Sequence, residues 1–342
     1  MEFNYLPLRK VFYGNGSIEN LDSIISENGM KHPLVVASHS VSMTTFYQDM
    51  IDSIKTPFTE FAQITQHSPL EEIEHGVESM RNKNCDSIIS IGGGSVIDAS
   101  KVIRYYYNMN AVQVAIPTTL SAAEFSHIAG YTIGGEKTGI RDKGITPQYV
   151  ILDPAATAET PDILWKSTGI RSLDHALETI VTNNFSEPAV MFAMKAIEKL
   201  MTNLEKSGLD ARLECQKAAW YSYFEVFDAP MGLSHNIGKI IGAKWGIPHG
   251  ITSCITLPAV MRYYAGNNPE PLAEISRQLG IGGLNPSDQA YKTADMVENF
   301  IRRIGLTRKL SDYYIKDDDL DYIVSKLKGN REELMPLIQS ML

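Results

Sequence analysis

The chain has 342 residues, 44% hydrophobic and 21% charged, with a formal net charge of −9. These values describe an ordinary globular chain of about two domains, and the acidic balance, without any block of Lys and Arg, excludes a nucleic-acid partner, because phosphate neutralisation needs clustered cations. Met1-Glu2-Phe3-Asn4 does not begin a secretory signal, no apolar run approaches the ~18 residues of a membrane helix, and the three scattered cysteines, Cys85, Cys215 and Cys254, form neither a disulfide framework nor a metal knuckle. The expectation is a reducing cytoplasm and no membrane partner.

In chain order, Val11 to Tyr13, Leu34 to Ala37, Phe61 to Ile64, Ile88 to Ile91, Val112 to Ile116 and Tyr149 to Leu152 read as strands. Helical patterns lie between them, near 17–29, 41–55, 69–83 and 95–107. Such alternation predicts a mostly parallel sheet covered on both faces. Ile128 to Ile133, followed by Gly134-Gly135, reads as one arm of a hairpin. Beyond Asp153-Pro154 strand signals nearly vanish, and helices are expected over 162–183, 187–207, 210–227, 231–245, 250–265, 269–279, 287–304 and 317–327. The prediction is an α/β dinucleotide-binding domain, residues 1–157, and an all-helical catalytic domain, residues 158–342, with the ligand in a cleft between them.

The sharpest local signal is Ser87-Ile-Ile-Ser-Ile-Gly-Gly-Gly-Ser-Val-Ile-Asp-Ala-Ser-Lys101. A buried strand stops at three glycines and a helix starts at once. Glycines let a ligand approach the main chain, Ser95 can cap the helix with Asp98 as its partner, and the free N–H groups with the helix dipole favour an anion. The G-x-G-x-x-G fingerprint does not apply, since Ile97 stands where the third glycine would fall, so the argument rests on helix-terminus physics. A plain strand-to-helix connection would use glycine too. Pro117-Thr118-Thr119 ends the next strand and places two hydroxyls at the sheet crevice, although an ordinary polar loop reads the same way.

In the helical half, His175, His235 and His249 stand beside small or helix-breaking residues, and the last two are separated by a Gly246/Pro248 turn. Converging imidazoles suit a divalent metal or proton transfer, while each alone reads as a hydrogen-bonded core or surface histidine. The other histidines, His67 and His127 among them, read as peripheral. Arg171 lies one turn before His175, and Lys239 one turn after His235. Cations there oppose a metal and suit an anionic substrate or a developing alkoxide. The simpler alternative is that they face solvent or pair with Asp174 or Glu178.

These pieces together resemble the iron-containing alcohol dehydrogenase superfamily. The resemblance rests on Val11-Phe-Tyr-Gly-Asn-Gly16, Gly92 to Lys101, Pro117-Thr-Thr119, Leu152-Asp-Pro154, His175-Ala-Leu-Glu178 and Pro248-His-Gly250, with Ile304-Gly-Leu306 and Asp319-Leu320. It implies a dehydroquinate synthase-like, iron-type alcohol dehydrogenase fold and hydride transfer between NAD or NADP and a carbonyl or alcohol carbon. It implies cofactor contacts at Gly93, Gly94, Ser95, Asp98, Thr118, Thr119 and Lys137, and at His39, where many relatives carry an aspartate for the adenosine ribose. It also implies a homodimer or larger assembly.

Metal-binding members use an aspartate and three histidines. His175, His235 and His249 match the histidines, but Arg171 stands at the aspartate position and Lys239 where a further histidine usually follows. The branch most resembled is the maleylacetate reductase-like group, which also lacks the aspartate. The expectation is an NAD(P)-dependent oxidoreductase working without iron on a substrate that can carry a carboxylate. Arg171 and Lys239 replace the metal, and His175, His235 and His249 relay the proton. Two alternatives remain: a Zn- or Fe-dependent alcohol dehydrogenase using the three histidines as ligands, and a dehydroquinate synthase-like cyclase using NAD transiently.

Overall fold

The structure, a computed structural model, describes residues 5–182, 186–224, 232–282 and 285–342. The chain forms two compact units, one of residues 1–161 with 206–220, the other of 162–205 with 221–342.

The first unit is built on a six-stranded parallel sheet of β1 (Lys10–Tyr13), β2 (Pro33–Val36), β3 (Thr59–Phe61), β4 (Ser87–Gly92), β5 (Val112–Pro117) and, after a hairpin of β6 (Ile128–Ile133) and β7 (Glu136–Arg141), β8 (Tyr149–Leu152). The order across the sheet is β1-β8-β5-β4-β2-β3. The central strands are buried at every position, as parallel strands covered on both faces must be. Alternate side chains feed two cores: Val35, Ile89, Ile91 and Val114 pack on one face, Leu34, Val36 and Ile88 on the other. The strand sequence moves outward from β2 to β3, returns to β4 beside β2, then continues the other way to β5. The carboxyl ends of β2 and β4 therefore flank the point where the topology reverses, the place where open α/β sheets hold their ligands.

The sequence-based strand at Phe61 to Ile64 is displaced: the strand is Thr59–Phe61, and buried Ile64 follows in a loop, its N donating to Ala37 O at 3.3 Å. The single helix expected near 41–55 is two, His39–Ser42 and Thr45–Ser53, because the Thr44 hydroxyl caps the second by accepting from Tyr47 N. Residues 206–220, expected within the helical domain, pack on the first unit. Trp220 stacks on Phe125 with centroids 5.7 Å apart, Arg212 donates to Thr157 O at 2.6 Å and Gln216 to Asp153 O at 3.3 Å.

The second unit is helical. Asp162–Val181, Leu233–Trp245 and Pro286–Arg303 all pack against His249–Asn267, whose first turns are buried. Glu187–Asn203, Pro269–Gln278, Asp317–Lys326 and Arg331–Gln339 complete it. The ends of the expected helices 162–183, 210–227 and 231–245 that reach 183, 225–227 and 231 lie outside the described residues. No described helix is long and apolar enough to cross a membrane.

Gly92 ends the central strand β4 at the point where the topology reverses. Its φ is +156°, and a Cβ there would sit 2.7 Å from Val96. Gly92→Ala is expected to destabilise the protein by about 1–3 kcal/mol through backbone strain and the clash, read as a lowered midpoint in thermal or urea unfolding.

Candidate active site

At the topological switch the β4 strand passes through Gly92 into the helix Gly94–Tyr107, with Gly93 as its N-cap. Gly93 and Gly94 are held bare by their neighbours: a Cβ on Gly93 would lie 3.1 Å from Thr119 Cγ2, and one on Gly94 3.0 Å from Ser121 Oγ. Thr118 N donates to Gly92 O at 3.0 Å, which locks the paired threonines beside the helix start. Thr119 is 4% exposed and its Oγ1 has no partner among the described residues. A helix N-terminus, two bare glycines and an unsatisfied buried hydroxyl fit the pyrophosphate of a dinucleotide. Ser95 faces the loop before Leu70–Asn82, its Oγ accepting from His67 N at 3.2 Å.

Asp98 has structural partners. Its carboxylate takes Lys101 Nζ at 3.1 Å and Gly130 N at 3.0 Å, and Lys101 also donates to Ile128 O, tying β6 to the helix. Burial raises the Asp98 pKa while Lys101 pulls it back. Glu124 lies in the same buried group, pushed up to about 7 by burial. His39 is exposed just beyond the carboxyl end of β2. Lys137 stands on β7 opposite Thr132.

In the helical unit, Asp162–Val181 presents Arg171, Asp174, His175 and Glu178 on successive turns, all buried. Arg171, 7% exposed, donates from Nη1 to Ser253 Oγ at 3.0 Å and to Asp174 Oδ2 at 3.4 Å. Ser253 Oγ donates to the same carboxylate oxygen at 2.6 Å. Nη2 lies against the His235 ring, 2.5 Å from Nδ1 and 3.0 Å from Nε2. Room for this comes from Gly238, one turn below His235, where a Cβ would sit 2.9 Å from Thr252 Oγ1 and 3.9 Å from Arg171 Nη1. His175 lies 5.7 Å from His235, centroid to centroid, and edge-on to Tyr223 at 5.1 Å. Glu178 caps Leu233–Trp245, accepting from Ser234 N at 2.6 Å and from His235 N at 3.3 Å.

The electrostatics follow from burial. Both His175 and His235 are held well below the usual imidazole range by desolvation first and by the Arg171 guanidinium second, with Lys239 and His249 adding to the effect. Both rings are therefore neutral at pH 7. Burial lowers the Arg171 pKa while Asp174 supports its charge, and burial raises Asp174 and Glu178. Lys239 and His249 are exposed. Thus Arg171 and His235 come together directly, His175 stands beside His235, and the charges of Lys239 and His249 act on both imidazoles. Asp174 and Ser253, the partners of the guanidinium, were not singled out as functional by sequence. Asp174 appeared only as one possible partner of Arg171, and the signal for Ser253 was its place one turn after His249.

The residues do not fit a divalent metal. A guanidinium occupies the edge of His235 that a metal would need, the place of the anionic ligand is cationic, and no described cluster of His, Cys, Asp or Glu can hold an ion.

Two family models cover most of the chain: iron-containing alcohol dehydrogenase over residues 8–154, and the C-terminal region of the Fe-containing alcohol dehydrogenase family over 166–332. The chain belongs to the iron-containing alcohol dehydrogenase family, a family of oxidoreductases. It is similar to an NADPH-dependent butanol dehydrogenase of Clostridium saccharobutylicum, 28% identical with 91% of this chain and 87% of that one covered. It is similar also to a maleylacetate reductase of Rhizobium sp. strain MTP-10005, 25% identical over 95% and 90% of the two chains. Its fold matches a crystal structure of 1,3-propanediol oxidoreductase with a TM-score of 0.93 at 24% identity, all of both chains being covered.

Histidine NMR checks the charge state directly. At pH 6, His175 and His235 are expected to show neutral-ring nitrogen shifts. Replacement of Arg171 by Met is expected to raise both pKa values toward the usual ~6.5.

Proposed function

We propose that this chain is an NAD(P)-dependent oxidoreductase that interconverts an alcohol and a carbonyl compound without a resident metal. The observation that carries the reading is the buried Arg171 guanidinium in contact with His235. The nicotinamide cofactor, when bound, supplies or accepts a hydride at C4 of its ring. Gly93, Gly94 and Ser95 bind its pyrophosphate through the helix start, Thr118 and Thr119 line the same edge, and Lys137 serves the nicotinamide ribose. His39 stands at the adenosine ribose. No acid at that position repels a 2′-phosphate, so NADP is accepted as well as NAD.

Arg171 holds the substrate oxygen. As hydride reaches the carbonyl carbon, the π electrons move to oxygen, and the guanidinium N–H groups stabilise the growing alkoxide. In the oxidative direction a neutral imidazole, His175 or His235, takes the alcohol proton, and the reverse step returns it. A proton is not retained on either ring beside the guanidinium, so it passes to exposed His249 and to water. Lys239 adds a second cation to the same face of Leu233–Trp245, and the combined positive potential favours a carbonyl substrate bearing a carboxylate.

Absorbance of reduced cofactor, followed against a panel of aldehydes, oxo acids and the matching hydroxy compounds, tests this reading. Arg171→Met is expected to lower kcat by about 10²–10³ with NADH and NADPH affinity unchanged, and wild-type turnover in that variant would remove Arg171 from the mechanism. Elemental analysis of the active protein is expected to find no stoichiometric Zn or Fe, and activity is expected to survive dialysis against a chelator.

A further inference from the structure

The helix Asp162–Val181 carries Arg171, His175 and Glu178 on successive turns, so the three lie along one face. Their mutual spacing is set by the helix itself, at ~1.5 Å of rise per residue. His235 belongs to a different helix, Leu233–Trp245, and its ring must meet Arg171 and His175 from there. Both helices pack on His249–Asn267. They touch each other through the Arg171 guanidinium against the His235 ring, and through the Glu178 carboxyl group against the first turn of Leu233–Trp245.

This second contact is made to backbone. Glu178 Oε1 accepts from Ser234 N at 2.6 Å and from His235 N at 3.4 Å, and Oε2 accepts from His235 N at 3.3 Å. The free N–H groups of a helix start readily take a carboxyl oxygen, but here one of them is the amide of the imidazole-bearing residue itself. Holding that amide holds the Cα from which the ring projects. Gly232 shows how close the approach is, since a Cβ there would overlap the Glu178 carboxyl group. Ser234 is held from its side chain as well, its Oγ 2.7 Å from Thr256 Oγ1 on His249–Asn267. Glu178 is 4% exposed and Ser234 fully buried, so bulk water does not replace either partner.

We propose that Glu178 is a positioning residue: by tying the start of Leu233–Trp245 to the helix that carries Arg171 and His175, it sets the His235 ring in register with both for proton transfer. The inference rests on the oxidoreductase reading above. What the role requires is an acceptor oxygen at the full reach of a glutamate side chain, not its charge. Geometry of this kind is worth much in rate, because a displacement of ~1 Å can cost about 10²-fold.

Two conservative replacements separate reach from charge. Glu178→Gln keeps at full reach an oxygen that can accept from both amides, and gives up the charge. Glu178→Asp keeps the charge and falls one methylene short. Steady-state kinetics with a substrate that the wild type turns over, and NMR of the His235 ring, read both variants. Glu178→Gln is expected to keep kcat within about threefold and the wild-type His235 ring signals. Glu178→Asp is expected to lower kcat by about 10–100-fold, to leave substrate KM and NADH affinity within about twofold, and to shift the His235 ring signals. A loss in Glu178→Gln as large as in Glu178→Asp, or wild-type kcat and His235 signals in Glu178→Asp, overturns the inference and leaves the functional reading standing. A wild type that turns over no alcohol or carbonyl compound with NADH or NADPH removes that reading and this inference together.

Discussion

A cation sealed inside a helical core constrains everything around it. Arg171 is 7% exposed, and an isolated guanidinium at such depth would cost several kcal/mol. Its environment supplies a carboxylate from Asp174, a hydroxyl from Ser253 and an imidazole edge from His235. Each partner is then constrained in turn. Arg171 opposes the rise that burial imposes on the Asp174 pKa, it adds to the burial that lowers His235 and His175, and Gly238 stays bare so that the helices can close on the group.

The nucleotide unit obeys a different constraint, that of backbone approach. Its parallel strands are buried on both faces, so only their carboxyl ends are left to meet a ligand. There the bare glycines, the locked threonines and the strained His67-Ser68 tip all gather around one helix start. Beside the sheet, the buried Asp98–Lys101–Glu124 group anchors β6, and buried Arg104 donates to Gly144 O and Gln148 Oε1.

Much of this could be read from residues. The Ile88 to Gly94 run announced its strand, turn and helix because burial on both faces and a ligand-facing turn leave distinct compositions. The three histidines and Arg171 were visible from their spacing on helices. The position of β3 was not, because Ala62 and Ile64 continue the apolar pattern after the hydrogen-bonded ladder has ended. The contacts of Ser253 and His67 were not legible for a related reason. A serine inside a helix and a histidine in a loop take their meaning from partners 82 and 28 residues away, and local pattern carries no trace of such pairings. Periodicity also placed residues 210–220 with the helices around them, since it reports that a segment is helical and not what the helix packs against.

That helix, whose residues up to Trp220 lie on the nucleotide unit, gives the chain an order of assembly. The polypeptide enters the helical unit at 162, returns at 206 and leaves again after 220. Phe125, Thr157 and Asp153 therefore wait for Trp220, Arg212 and Gln216 to be synthesised before their own surroundings are complete. A ribosome that has released the whole parallel sheet has not yet released the means to finish it. The nucleotide unit matures only after part of the helical unit has already been made, and a fragment cut at the sequence boundary would carry an uncovered aromatic face.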